Sequence, residues 1–491
     1  MTSQVIAGVH SRADIGGMTS DAALAHPVDA HDAGWPTLIL VLSGTFMVVL
    51  DFFIVNVALP SIQRELHASD SALQLVVAGY GLANAAGLIT GGRLGDLFGR
   101  RRMFMTGLLL FTLASAACGL APGAGVLVAA RVVQGLAGAL LQPQVLAMLG
   151  LVFTGPARAR AFGAYGLTLG LGAVLGQLIG GVLIHADLAQ MGWRSCFLIN
   201  VPIGLAGLAL GMRWIPALKS EGHSRLDMPG AVIVAVLLSA VLWPLVEGRQ
   251  EGWPLWSAAS LLAAIPLAAG LALHQRRREA HGAQPLIAPS LLRLPGYAQG
   301  LLVTLVFYAG NASFYFVLAI YLQQVMGLSA LASGAVFTAL ALGFFATSMA
   351  SARLDRWLGR RAITCGAVVL AAGHAALIGL VLRHGGEGIV PWMLPILWVE
   401  GAGIGMIMAP LVSAVLAAVP AAHAGVAAGM LATVQQVGNS LGVALIGIVF
   451  YADRQRPQAA FVAAIGYLLL SALGVAMLFA RRRPRAAAAS R

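Results

Sequence analysis

Fourteen apolar runs, each near the length of a membrane-crossing helix, dominate this sequence. Read between charged residues and Pro/Gly punctuation, they fall near 37–60, 71–92, 103–121, 124–149, 161–184, 195–214, 229–246, 255–273, 297–325, 330–351, 362–382, 391–414, 424–450 and 459–480. A run of about 20 residues rises about 30 Å as an α-helix, the thickness of a hydrocarbon core. In that medium each backbone amide must be paired within its own segment, so such runs fold as helices. Only 10% of the 491 residues are charged, against roughly 25% in soluble domains. A soluble enzyme is excluded, and the fold class is an all-α polytopic membrane protein.

The net charge of +12 does not point to nucleic acid, because the basic residues sit in short loops between apolar runs. There they set orientation. The N-terminal tail, the loops after even-numbered spans and the C-terminal tail hold 23 Arg and Lys residues, including Lys219, while the opposite loops hold 6. Both tails are therefore expected in the cytoplasm. Residues 1–36 lack a basic start followed by a short apolar core and a small-residue cleavage site, and read as a tail rather than a signal peptide. Cys118, Cys196 and Cys365 lie in or at the edge of spans without metal-ligand spacing; no metal and no cofactor is expected.

A repeat underlies the fourteen spans. Arg93-Leu94-Gly95-Asp96-Leu97-Phe98-Gly99-Arg100-Arg101, after span 2, aligns without a gap on Arg353-Leu354-Asp355-Arg356-Trp357-Leu358-Gly359-Arg360-Arg361, after span 10, at an offset of 260 residues. Spans 5 and 13 are both Gly-rich. A shift of eight spans preserves orientation, so spans 1–6 and 9–14 are expected as parallel six-helix bundles with spans 7 and 8 inserted. The divisions are 1–36 (tail), 37–214 (first bundle), 215–296 (inserted pair and loops), 297–480 (second bundle) and 481–491 (basic tail). Parallel six-helix halves are the architecture of major facilitator transporters.

Several motifs carry a closer resemblance. Gly92 to Arg101 resembles the major facilitator signature between helices 2 and 3. Leu50-Asp51 through Ile54-Val55-Asn56-Val57-Ala58-Leu59-Pro60 is similar to the helix 1 motif of the fourteen-helix drug:proton antiporters, and Arg131-Val132-Val133-Gln134-Gly135 to their helix 4 motif. Trp193-Arg194 with Phe197-Leu198-Ile199-Asn200-Val201-Pro202 resembles their entry to helix 6. In the helix 5 motif, Gly172, Gly176, Gly180 and Gly181 fit, but Gln177 stands where the family usually has Pro. Phe53 replaces the usual Thr after the helix 1 Asp. The resemblance implies a cytoplasmic gate at Gly92, Asp96, Gly99, Arg100 and Arg101; Asp355 and Arg356 carry the displaced second copy.

Two acidic residues lie well inside spans. Asp51 is nine residues from the outer end of span 1 and Arg131 seven into span 4 from the same side, depths of roughly 13 and 10 Å at the helical rise. Intramembrane charges are costly and pair with one another, so Asp51 and Arg131 are expected to face one cavity, Asp51 carrying a proton that Arg131 drives off as the pair closes. A static ion pair is the alternative. Glu400 in span 12 aligns roughly with Gln134 and has two readings: facing the central cavity, where it would hold a cationic substrate or a second proton, or a protonated acid bonded to a neighbouring helix. His374 reads as a lone interhelical donor, with a proton relay as the alternative. Asn56, Gln134, Asn311, Gln435 and Asn439 are cavity candidates, with Asn84, Gln142 and Gln177 as further polar positions. Gly172, Gly176 and Gly180 offer a smooth face along which moving halves could pack.

With no Gly-Lys dipeptide there is no P-loop, leaving an ion gradient as the energy source. The sequence reads as a proton-coupled exporter of small amphipathic compounds, cationic ones among them, in a bacterial cytoplasmic membrane. Its partners would be a small-molecule substrate, protons and the lipid bilayer, with no nucleic acid, and it would act as a monomer and not as an enzyme. The alternatives are a dedicated exporter of one metabolite, such as an antibiotic, and a proton-coupled uptake symporter.

Overall fold

A computed structural model of the chain describes residues 34–216, 226–283, 285–359, 361–385, 388–420, 423–453 and 455–480. The expected tails, apart from residues 34–36, lie outside the described residues, as do Lys219, Arg360, Arg454 and the side chain of Asp355. Fourteen helices are long and apolar enough to span a membrane, one for each expected run. They are α1 (Gly34–Leu66), α2 (Asp70–Phe98), α3 (Arg100–Gly119), α4 (Ala124–Val152), α5 (Gly155–Ala186), α6 (Gly192–Trp214), α7 (Met228–Gln250), α8 (Leu255–Ala280), α9 (Gly296–Val325), α10 (Ala330–Met349), α11 (Arg361–His384), α12 (Val390–Leu416), α13 (Ala424–Phe450) and α14 (Pro457–Ala480). The side on which α1 begins is called the near face, the other the far face.

The repeat extends to the punctuation of the helices. Ser69 caps α2 by accepting from the Ala72 amide, and Ser329, 260 residues on, caps α10 by accepting from Ala332. Such caps satisfy amides that a helix start leaves without a carbonyl. Gly99 and Gly359, also 260 apart, both hold positive φ, 93° and 49°, a conformation glycine enters without a Cβ penalty. The signature expected as a loop is therefore mostly helix: α2 runs through Phe98, and Gly99 alone turns the chain into α3. In the second copy the same stretch forms a separate short helix, Ser351–Leu358.

Packing repeats in the same way. Within the first bundle α2 and α3 lie on α4, α1 on α5 and α3 on α6; eight spans later α10 and α11 lie on α12, α9 on α13 and α11 on α14. The bundles meet along two seams, α2 against α13 and α5 against α10, with α1 against α9 between them. The shift of eight spans exchanges the two seams, as a two-fold axis along the membrane normal requires. Of the inserted pair, α7 packs on both α2 and α13, covering that seam, while α8 packs on α7.

The seams are closed toward the far face. Gln323 Nε2 donates to the Val57 carbonyl at 3.0 Å and Gln324 Nε2 to Gln63 Oε1 at 2.6 Å, tying α9 to α1. At the far end of α7, Arg249 donates to the Tyr451 carbonyl at 3.2 Å and lies 4.0 Å from Asp70, bridging α13 and α2. Toward the near face the seams part: a Cβ at Gly155, Gly163 or Gly166 on α5, or at Gly425 on α13, would meet no other atom within 4 Å.

Candidate functional site

Inside the first bundle, five helices converge on one carboxylate. Asp51, at the middle of α1, is ion-paired through Oδ2 with Arg131 Nη1 of α4, and neither side chain has any exposed surface. Gln134 Nε2 donates to Asp51 Oδ1 at 2.8 Å while its Oε1 accepts from Arg131 Nη1 at 2.8 Å. Asn200 of α6 donates to the same Oδ1 at 2.9 Å. Both amides also reach Ser115 Oγ on α3, at 3.2 and 3.0 Å, and that hydroxyl donates to the Phe197 carbonyl at 2.9 Å. From α2 the Val76 carbonyl accepts from Arg131 Nε at 2.9 Å and the Tyr80 ring lies 4.1 Å under the guanidinium.

Close helix approach makes this convergence possible. A Cβ at Gly135 would lie 2.3 Å from the Tyr80 carbonyl, so only glycine lets α4 lie this close to α2. One turn earlier on α4, Arg131 then spans from α2 to α1. Charges removed from water are tolerated only when paired and hydrogen-bonded, and here the two Asp51 oxygens accept three such bonds. The expected contact between Asp51 and Arg131 is present, but the pair is enclosed within one bundle rather than lining the space between bundles. Asn200, Ser115 and Tyr80 were not among the expected site residues. Asn200 carried a signal, as the polar residue of a quoted motif; Ser115 and Tyr80 carried none.

For Glu400 the structure decides between the two expected places, in favour of a bond to a neighbouring helix. It is fully buried in the second bundle, its Oε1 2.7 Å from Nδ1 of His374 on α11, and does not face the central space; its position on α12 could be read from the sequence but the rotation of α12 could not. Asn311 borders a small cavity within the same bundle. Asn56 is buried and donates to the Phe52 and Phe53 carbonyls of its own helix at 3.3 and 3.2 Å. Gln435 and Asn439 are half-buried on α13. Gln435 donates to the Tyr308 hydroxyl at 3.0 Å and Asn439 to Gln436 at 3.0 Å.

The helix 5 glycines divide by partner. Cβ atoms at Gly172, Gly176 and Gly180 would lie 3.0, 2.9 and 2.8 Å from Val49, Phe53 and Ile54 of α1. That face packs inside one bundle, not between moving halves; Gly181 meets the other bundle, 2.7 Å from the Ala330 carbonyl, as does Gly170, 3.2 Å from the Phe344 ring. Gln177 lies in the α5–α10 seam, where a Cβ at Gly334 would be 2.6 Å from its carbonyl, and its buried side-chain amide has no hydrogen-bond partner. The other seam carries the same pairing reversed: buried Gln74 of α2, also without a side-chain partner, meets Gly447 of α13. Gly334 stands 260 residues after Gln74.

At the near face, Arg100 is ion-paired with Asp96 and donates to the Gly92 carbonyl at 3.0 Å and to Gln144 at 3.2 Å, while Arg101 donates to the Met212 carbonyl. These bonds stay within the first bundle. Arg93 reaches the Pro285 carbonyl at 2.6 Å in the segment after α8. Buried Asp227, capping α7, accepts from the Gly230 amide at 3.0 Å and Gln275 Nε2 at 2.9 Å and meets His274 at 2.7 Å. Burial pushes this carboxyl up, but those hydrogen bonds and the charge of Arg278 together outweigh it and hold Asp227 below the usual carboxylate range.

Comparison with known proteins adds kinship to this geometry. The family described as Major Facilitator Superfamily matches residues 41–443 and 300–491. The chain is 39% identical to the "Probable actinorhodin transporter" of Streptomyces coelicolor, over 85% of this chain and 72% of that one. It is 36% identical to the "Puromycin resistance protein pur8" of Streptomyces alboniger, over 90% of this chain and 89% of that one. Among solved structures, the peptide transporter POT in complex with sulfate superposes with a TM-score of 0.65 at 17% identity, covering 91% of this chain and 94% of that one, a likeness of fold.

Proposed function

This chain belongs to the major facilitator superfamily, and from that premise we propose that it exports small amphipathic, antibiotic-like compounds in exchange for protons. It is a multi-pass membrane protein of fourteen spans; in this reading it acts as a monomer in the bacterial cytoplasmic membrane with the near face and both tails in the cytoplasm, an orientation supported by the excess of Arg and Lys on that side. The bundles at 37–214 and 297–480 rock about the two seams, exposing the space between them to one face at a time, and the parted near face corresponds to the stage open to the cytoplasm.

The observation that carries the reading is the Asp51–Arg131 pair, buried at mid-membrane and joining α1 and α4 to α2 and α6. Arginine keeps its charge in proteins, so a proton reaching Asp51 turns the pair into a lone buried cation hydrogen-bonded to a neutral acid. That costs free energy unless the helices rearrange. Proton arrival at Asp51 thus drives α1 and α4 apart, and re-forming the pair expels the proton. Gly92, Asp96, Gly99, Arg100 and Arg101 close the cytoplasmic side in the opposite stage.

The two mid-span carboxylates are both enclosed in bundles, so substrate recognition falls on amides and aromatic rings, Gln435, Asn439 and Tyr308, whereas the expected Asn56 and Gln134 are buried in bonds inside the first bundle. This favours aromatic substrates over a dedicated cation site. Export by cells loaded with puromycin or an aromatic polyketide tests the reading. Efflux should stop when an ionophore collapses the proton gradient and persist when ATP is depleted with the gradient clamped; the opposite pattern refutes it.

A further inference from the structure

The second bundle contains a buried polar node built at the same place as the first. Asn311 on α9 stands 260 residues after Asp51, the offset that relates Ser69 to Ser329 and Gly99 to Gly359. With it stand His374 on α11, Glu400 on α12 and Ser471 on α14. These helices answer to α1, α3, α4 and α6, which carry Asp51, Ser115, Arg131 and Asn200. The parts are redistributed: the carboxylate has moved to α12, the base to α11, and an amide occupies the place of Asp51.

The node is built to hold a charge pair. His374 Nδ1 and Glu400 Oε1 are 2.7 Å apart, with the side chains 4% and 0% exposed. Room for the carboxylate comes from Gly373, where a Cβ would lie 2.3 Å from Glu400 Cγ. Beside His374 is a cavity of about 20 Å³, also bordered by Asn311 and Ser471. A water needs about 10–15 Å³ and two to four polar partners. Asn311 Oδ1, which is buried and bonded to no protein group, the imidazole and the serine hydroxyl provide both.

We propose that Glu400 and His374, with one water in this cavity, form a second proton-binding site, confined to the second bundle and separate from Asp51. A hydrated proton arriving through the cavity water adds to the carboxylate–imidazole pair, giving either the neutral acid beside neutral imidazole or carboxylate beside imidazolium. Only an O–H or N–H bond forms, and the proton leaves by the same water. Where Arg131 keeps its charge, neither member of this pair is a permanent cation, so the node changes charge without separating its helices.

The surroundings leave the pair to itself. Among the described residues α10 and α13 carry no ionisable side chain, α12 none but Glu400, and α9 and α14 only tyrosines. On α11, Cys365 is the one other ionisable side chain between Arg361 and Arg383, which stand at its two ends with His384. Phe314 packs on the imidazole at 5.3 Å between ring centres.

Infrared difference spectroscopy of the full-length protein in liposomes, titrated without substrate over about pH 5 to 8, reads the site through the carbonyl stretch of protonated carboxylic acids and the carboxylate stretches that a neighbouring imidazolium shifts. It is independent of the export reading, which can fail while this site stands. Glu400→Gln should lose one titrating carboxyl band and keep the band that Asp51→Asn removes. His374→Asn should retain the Glu400 band but shift its midpoint by about one pH unit or more, as coupled sites do; a mere packing role would leave the midpoint in place. A Glu400→Gln spectrum identical to the wild type, or an unshifted His374→Asn midpoint, overturns the proposal. If Glu400→Gln does not fold, the His374→Asn midpoint alone decides.

Discussion

Replacing Gln177 by Leu should trap the transporter with its far face closed. In the closed seam the Gln177 side chain is 1% exposed and its amide oxygen and nitrogen have no partner. A buried polar group left unbonded costs about 1–3 kcal/mol, a penalty that vanishes when the seam opens and water reaches it. Leucine carries no such penalty in the closed state, so the substitution favours closure by about 1–3 kcal/mol, or roughly 5- to 150-fold in the open-to-closed ratio. Gln74 lies in the other seam and shares no partner with Gln177, so the two effects should add. The assay is alkylation of Ser333→Cys, next to the Gly334 contact, by a membrane-impermeant maleimide applied from the far face, with Cys118, Cys196 and Cys365 replaced by Ala. Gln177→Leu should slow labelling by that factor, and Gln74→Leu with Gln177→Leu should slow it further. Labelling at the wild-type rate, or faster, in a folded Gln177→Leu protein would refute the reasoning. The departure from the usual Gly-Pro is then a tuning of the closed state rather than a loss of exchange.

Other expectations follow from the same geometry. Asp51→Asn leaves Arg131 buried without its counter-charge and should cost about 3–5 kcal/mol of stability in detergent; Asp51→Asn with Arg131→Gln should recover a large part of it, read as thermal midpoints. Gly176→Val places a side chain 2.9 Å from Phe53 and should cost about 1–3 kcal/mol by pushing α5 off α1, with no change in the closing bonds at Gln323. Asp227 is held below its usual range, so its contribution to the bonds that join the start of α7 to Gln275 and His274 of α8 is complete above about pH 4 and drains away as pH falls through its lowered value. Gln275 passes this hold to the segment after α8 by accepting from the Leu286 amide at 2.7 Å. A spin label at Arg293→Cys, at the end of the short helix that follows, should therefore gain mobility at neutral pH in Asp227→Asn, but in the parent protein only below about pH 4.

What the sequence disclosed and what it withheld divide along physical lines. Span number and repeat were legible because a bilayer imposes a length and the offset of 260 residues recurs in caps and turns such as Ser69 and Ser329. The Asp51–Arg131 contact was legible because two intramembrane charges at matching depth have few other partners. Helix rotation was not: membrane helices in a bundle are apolar on nearly every face, so periodicity does not say which face is inward. That is why Glu400 stayed open between the central space and a neighbouring helix until its pairing with His374 was seen, and why Gly172, Gly176 and Gly180 turned out to face α1. The Arg93–Arg101 stretch was expected as a loop because its charges mask a helix that only Gly99 interrupts.

The central claim is that Asp51 carries the exchanged proton. Protein reconstituted in liposomes with a pH-sensitive dye in the lightly buffered medium, challenged with puromycin, tests it directly. The wild type should release protons as substrate binds, and Asp51→Glu should keep that release, whereas folded Asp51→Asn should bind substrate and release none. Equal proton release from the wild type and Asp51→Asn would contradict the account.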